Sequence, residues 1–305
     1  MKPSFAIIGC GKVGTTLGKF LAKAGYKPTG FASKSLSSAK VAAEIIGSDN
    51  FSKIPWEITR KADIVFITTP DSAIADTCNS ISLHSGFCKN GMVLHCSGAL
   101  PSTILSSVKE CGAFAGSMHP LQTFASVEIE KNPFQDIIIS LEGEKEAVSA
   151  ARKIATDLGA TCFTIQTGAK TLYHASAVVA SNYLVTLLDL SLKLIEAAGI
   201  SGTDALKALK PLIEGTLSNI EKAGITRALT GPIVRGDIET VKRHLVQIGS
   251  KTPDLLDLYK TLGFHTVDIA MAGGGLSESS AQKLKKITSI EQGARSKEQG
   301  ATSNQ

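Results

Sequence analysis

From residue 4 onward, short apolar runs alternate with amphipathic stretches. Residues 4–8 form an apolar run that ends in glycines. Residues 12–24 place Val13, Leu17, Phe20, Leu21 and Ala24 at helical spacing, and Gly25 follows as a stop. The same reading predicts strands over 29–32, 63–68, 92–95 and 113–118, with helices over 37–46, 72–81 and 101–111. Residues 137–141, 145–158 and 162–165 add a strand, a helix and a strand that extend the sheet. Strands separated by helices of this length imply parallel pairing through right-handed crossovers. After Gln166 helical periodicity takes over, at 169–198, 203–223, 238–248 and 253–271. The expected class is α/β: a parallel-sheet domain over residues 1–166, an all-helical domain over 167–290 and a flexible tail over 291–305. No internal repeat is present.

The length of 305 residues exceeds what one core usually serves, which agrees with two domains. Hydrophobic residues make up 43% and charged residues 19%, the balance of a folded chain rather than a disordered one. The net charge is +5, and much of it lies in residues 283–305. That polar tail lacks apolar periodicity, so it gives no case for nucleic-acid binding. The six cysteines, Cys10, Cys78, Cys88, Cys96, Cys111 and Cys162, are scattered and form no CxxC pair, as expected of reduced thiols in a cytoplasmic protein. Residues 1–14 read as a strand and a glycine turn, not as a secretory signal. The most apolar stretch, residues 175–195, includes Asn182, Asp189 and Lys193. It reads as a buried domain helix rather than a membrane span.

"AIIGCGKVGTTLGKF" sets Gly9, Gly11 and Gly14 between the first strand and the first helix. The first glycine permits a tight turn, the second lets backbone approach a pyrophosphate, and the third lets the helix pack closely. With Lys12 and Val13, these residues place a helix N-terminus against an anion. The strand–turn–helix context makes the domain Rossmann-type and the ligand a dinucleotide. An NAD site usually carries an acid at the end of the second strand. Here residues 1–43 hold seven lysines and no Asp or Glu, and the second strand ends in Ser33, Lys34 and Ser35. Those three can neutralise and hydrogen-bond a 2′-phosphate, so NADP(H) is the expected cofactor.

Ligands of open α/β sheets bind beyond the carboxyl ends of the strands. The third strand ends in Thr68, Thr69, Pro70 and Asp71, with Thr69 and Pro70 beside the cofactor. The fourth ends in "HCSG" (95–98) and the fifth in "SMHPLQTF" (117–124), which offer Ser97 and His119 to a substrate. Local roles compete: Asp71 as a helix cap, Ser97 as a turn former. His95, Cys96, His119 and His174 lack the local pairs of a metal site, so no metal is expected.

The helix after residue 166 opens "GAKTLYHASAVVASN". Lys170 and His174 share a face, with Ser181 nearly in line and Asn182 beside it. Reduction of a carbonyl or imine by nicotinamide needs a proton or positive charge at the heteroatom. Lys170 or His174 can supply it, and Asn182 can orient the substrate. A solvated Lys170 and His174 at a helix start is the plainer alternative. In "TGPIVRGD" (230–237), Asp237 can cap the next helix, while Arg235 can grip a carboxylate or phosphate.

"IIGCGKVG", "HCSG", "MHPLQTF", "YHASAVVASNYL" and "TGPIVRGD" together resemble a bacterial two-domain family. In it a Rossmann-like domain precedes a C-terminal domain of unknown function. The resemblance covers roughly residues 3–270 and extends distantly to ketopantoate reductase, 6-phosphogluconate dehydrogenase and pyrroline-5-carboxylate reductase. In the hydroxyacid dehydrogenases of that group the connecting helix opens with Gly, then Lys-x-x-x-Asn. Lys170 matches the lysine, and His174 stands in place of the asparagine. The resemblance implies an NADPH-dependent reductase of a small 2-oxo acid, 2-dehydropantoate first, or of a cyclic imine of the pyrroline-carboxylate type. A non-catalytic NADP-binding regulator is the third reading. A homodimer built through the apolar helical domain is expected, with no membrane or nucleic-acid partner.

Overall fold

The computed structural model describes residues 2–127 and 130–290. The expected tail over 291–305 lies outside the described residues. The chain divides into two compact units, Met1–Asn182 and Tyr183–Gln305.

The first unit is built on an eight-stranded sheet. In chain order its elements are β1 (Ser4–Ile8), α1 (Lys12–Lys23), β2 (Lys27–Ala32), α2 (Leu36–Ile46), β3 (Phe51–Ser52), α3 (Pro55–Thr59), β4 (Ile64–Ile67), α4 (Asp71–Leu83) and β5 (Met92–His95). A 3₁₀ helix, Ser102–Cys111, leads to β6 (Phe114–Pro120), β7 (Ile138–Gly143), α5 (Lys145–Asp157), β8 (Thr161–Thr164) and α6 (Lys170–Val178). The strand order is β3-β2-β1-β4-β5-β6-β7-β8. Residues alternate between two cores, as the pleat requires. Phe5, Ile7, Ile64 and Phe66 pack on one face with Leu17, Phe20 and Leu21 of α1. Ala6, Ile8, Val65 and Ile67 pack on the other with Ile74, Cys78 and Ile81 of α4.

Three details differ from the sequence reading. β7 pairs antiparallel with β6, from Gly116 opposite Gly143 to Pro120 opposite Ile139. A parallel pair needs a long crossover, usually helical, and no helix occurs among the described residues between these two strands. The predicted helix at 101–111 is 3₁₀, with Leu105 outside helical geometry. The short β3 and α3 carry too few residues to show a period.

The second unit is helical: α7 (Leu184–Ala197), α8 (Gly202–Ala223), α9 (Ile225–Ala228), α10 (Ile238–Lys251), α11 (Leu256–Ala272) and α12 (Glu278–Thr288). Its core joins Val241 of α10, Val267 and Ala270 of α11, and Ala281 and Leu284 of α12. Asp237 caps α10 by accepting from the Thr240 N–H at 3.0 Å and the Thr240 hydroxyl at 2.7 Å, which is the local role its position suggested.

The helical stretch Thr167–Ala197 is long and apolar enough to cross a membrane, with mean hydropathy 1.5. Its expected burial is not met within the chain, since only 6% of its apolar window is buried. Val185 is 67% exposed, and on α8 Leu212 is 67% exposed. Periodicity reports that a face is apolar; it does not report what covers the face. An Asp189–Lys193 ion pair at 2.7 Å places two charges within this stretch, which suits a polar medium better than a bilayer.

Candidate active site

The glycine turn follows directly from β1. Gly9 has φ +104°, and a Cβ there would sit 2.6 Å from the Thr68 carbonyl carbon and the Thr69 nitrogen. A side chain at Gly14 would strike the Gly9 carbonyl and the Thr68 hydroxyl, so α1 starts in contact with β1 and β4 only because glycine occupies both positions. Gly11 differs, because a Cβ there would meet nothing within 4 Å. It is the N-terminal boundary of α1, and no side chain caps that end. Lys12 and Val13 begin the helix. The turn thus presents an uncapped helix N-terminus beside an open space, the geometry that takes a pyrophosphate.

Neighbouring strand ends frame the same turn. Ser33, Lys34 and Ser35 follow β2, which pairs with β1. Ser35 caps α2 by accepting from the Ser38 N–H and meets Ser37 Oγ at 2.7 Å; Lys34 is exposed. After β4, the Thr68 hydroxyl donates to the Gly9 carbonyl at 2.7 Å. The Thr69 hydroxyl is buried and has no partner among the described residues. A buried hydroxyl without a partner costs free energy, so it is a natural contact for a bound group. Pro70 stands at the boundary of α4. All of these residues fit a dinucleotide with a 2′-phosphate.

A cavity of about 400 Å³ lies between the loop after β6 and the helix that starts with α6. His119, Gln122, Thr123, His174, Ser181 and Asn182 contribute to its wall. Gly98 forms the contact between the two histidines: a Cβ there would fall 2.5 Å from His174 Nδ1 and 2.8 Å from His119 Nε2. The two imidazoles cross edge to face with centroids 6.0 Å apart. From Val179 to Tyr183 the helix widens to a π turn, which changes the rotation by which Ser181 and Asn182 meet the cavity.

Lys170 does not line this cavity. It is 1% exposed, and its Nζ donates to the Ser97 carbonyl at 2.7 Å and to the Ser117 hydroxyl at 2.5 Å. The plainer reading, a solvated lysine at the helix start, is therefore reversed: Lys170 is the most enclosed residue of the stripe, and Asn182 is exposed. Burial pulls its ammonium down to about 8, while Glu142, Cys96 and Asp71 support the charge. Glu142 is buried too, and accepts from Ser102 and Thr167. Ser97 is occupied locally. Its hydroxyl donates to Asp71 Oδ2 at 2.8 Å and accepts from the N–H groups of Ala99 and Leu100, so it shapes the turn after β5.

Buried His95 and half-buried His119 are both held neutral. Burial, then Lys170 and His174, bring His119 down to about 4. Burial and then Lys170 bring His95 down to about 3, and its Nδ1 accepts the Ser97 N–H. Sequence reasoning missed Gly98 as the packing point and Tyr173, whose hydroxyl meets His119 Nδ1 at 3.1 Å. Tyr173 adjoins His174 in the sequence, but its partner lies 54 residues away. Arg235 belongs to the second unit and is exposed there. Among the described residues no group of three or more His, Cys, Asp or Glu is placed to hold a metal ion.

Two family models match the chain: a Rossmann-like domain over residues 2–120, and a domain of unknown function (DUF2520) over residues 137–266. The chain thus carries a Rossmann-like module followed by a DUF2520 module. No curated protein matches it. Among solved structures it is similar to the Bacteroides fragilis protein BF3122, described as an NADP oxidoreductase, at 23% identity and TM-score 0.72, over 88% of this chain and 98% of that one. It is similar to Thermotoga maritima TM1727 at 26% identity and TM-score 0.67, with the same coverages. An imine reductase from Pseudomonas sp. shares 16% identity at TM-score 0.61, over 94% of this chain and 93% of that one.

Proposed function

We propose that this protein is an NADPH-dependent oxidoreductase that reduces a small 2-oxo acid, with 2-dehydropantoate as the first candidate. The observation that carries the reading is the pairing of an open, uncapped glycine turn with a cavity walled by two histidines in the same unit. Gly11, Lys12, Val13 and the Thr69 hydroxyl would hold the pyrophosphate side of the cofactor. Ser33, Lys34 and Ser35 would take the 2′-phosphate, as the lack of any acid over residues 1–43 supports. When bound, NADPH supplies the hydride.

The residues of this chain do the rest. His174 faces the cavity and would deliver the proton that completes the alcohol, a role Lys170 is less suited to because its ammonium is committed to Ser97 and Ser117. Lys170 would act as a positioning residue that ties α6 to the loop after β5 and to β6, and it keeps a positive potential behind the cavity. Asn182, Ser181 and Thr123 would orient the substrate.

A cyclic imine is the second reading, favoured by the fold likeness to an imine reductase. NADPH consumption measured against a panel of 2-oxo acids and cyclic imines separates the two. Tight NADPH binding without turnover of any substrate would leave the protein a binding module and sink both. Titration with NADPH and NADH tests the cofactor, and tighter NADH binding would refute the 2′-phosphate assignment. The exposed apolar residues of α7 and α8 suit burial against a second copy of the chain. Light scattering that gives the monomer mass would reject the homodimer.

A further inference from the structure

We infer that Tyr173 fixes the tautomer of His119, so that His119 offers an N–H to the substrate and the site selects an acceptor oxygen, a carbonyl, over a protonated imine. This rests on the proposed reductase reading and narrows its substrate class.

Tyr173 lies beside His119, edge to face with centroids 5.6 Å apart, and its oxygen is 3.1 Å from Nδ1. A phenol O–H is far more acidic than a neutral imidazole N–H, so in this contact the tyrosine donates and Nδ1 accepts. Burial raises the Tyr173 hydroxyl further, which keeps its proton in place. The Ser140 hydroxyl acts in the opposite direction, but less than burial does.

With Nδ1 accepting, the single proton of the neutral ring sits on Nε2. That nitrogen lies against Gly98, where a Cβ would come within 2.8 Å. His119 also stays neutral under ordinary conditions, since burial and then the Lys170 charge oppose a second proton. His119 lines the cavity, so this neutral donor belongs to its wall. A carbonyl oxygen accepts, and accepts more strongly as it gains negative charge during reduction. A protonated imine presents an N–H of its own, which would face the His119 N–H and leave both without a partner.

The test reads the tautomer directly. Nitrogen-15 NMR of the full chain labelled at histidine, with NADP⁺ bound, should show His119 protonated on Nε2 at neutral pH. In Tyr173→Phe, which retains the ring packing against His119 and Phe163, the signal should shift to a mixture of tautomers. Oxamate, an unreactive 2-oxo acid mimic, should move the Nε2 resonance, whereas pyrrolidinium should not. Turnover of a 2-oxo acid should fall about 10- to 100-fold in Tyr173→Phe with NADPH affinity unchanged, by analogy with the loss of a partner that orients a metal-bound imidazole. A dominant Nδ1–H form in the unaltered protein would overturn the inference, and so would a response to pyrrolidinium but not to oxamate. Neither NMR reading needs turnover. An inactive protein with the Nε2–H form and an oxamate response would reject the reductase and keep the assignment.

Discussion

Replacing Lys170 with methionine removes one charge from the centre of the site and keeps nearly the same volume. Two opposing effects set the outcome. The ammonium donates to the Ser97 carbonyl and the Ser117 hydroxyl, and hydrogen bonds from a charged donor contribute about 1.5–3 kcal/mol each. Against this, the ammonium is buried at a cost. The fall from the ordinary 10.5 to about 8 corresponds to about 3 kcal/mol at neutral pH. Methionine relieves that cost and forfeits the hydrogen bonds. Glu142 keeps its contacts with Ser102 and Thr167. The net expectation is a loss of about 1–2 kcal/mol in unfolding free energy, read from urea denaturation. The same change removes a positive charge that depresses His119 and His95. Both should titrate at higher pH in Lys170→Met, and NMR follows each ring. A loss above about 4 kcal/mol would show that Lys170 and Glu142 form an indispensable buried pair. Unmoved histidine titrations would show that its charge is not felt at the cavity. Either result refutes the balance drawn here.

Gly9→Ala should abolish NADPH binding and cost several kcal/mol, on the order of 3, because a side chain at φ +104° would press into the Thr68–Thr69 backbone; thermal denaturation and fluorescence titration measure both effects, and a folded, NADPH-binding variant would contradict the turn geometry. Lys34→Glu should weaken NADPH binding by about tenfold or more and leave NADH nearly unchanged, since the new acid repels only the 2′-phosphate. Stability should also depend on pH through His95 and His119, held neutral in the fold at about 3 and about 4. The unfolded chain takes up those two protons below about 6.5, which the folded chain refuses, so stability is complete above that pH. It should then fall by about 2–3 kcal/mol per pH unit between pH 6 and 4. A urea midpoint that is flat from pH 7 to 5 would show that the histidines are not buried neutral.

The sequence by itself determined the repeating strand–helix order, the glycine turn and the lysine-rich, acid-free first 43 residues. Each of these is a local property: a period, a required φ, or a charge count within one segment. It also singled out Lys170, His119, His174 and Asn182, because polar groups on an apolar helix or at strand ends stand out from their neighbours. It did not determine which of them faces the cavity. Lys170 and His174 have the same spacing signal, yet one ends under Ser97 and Ser117 and the other reaches the cavity wall. That choice depends on β5 and β6, more than fifty residues away. The antiparallel turn of β7, the π turn at Val179–Tyr183 and the Tyr173–His119 contact likewise come from packing between distant segments. Hydrophobic period fixes which way a residue points from its own element, and only tertiary structure supplies what it meets there.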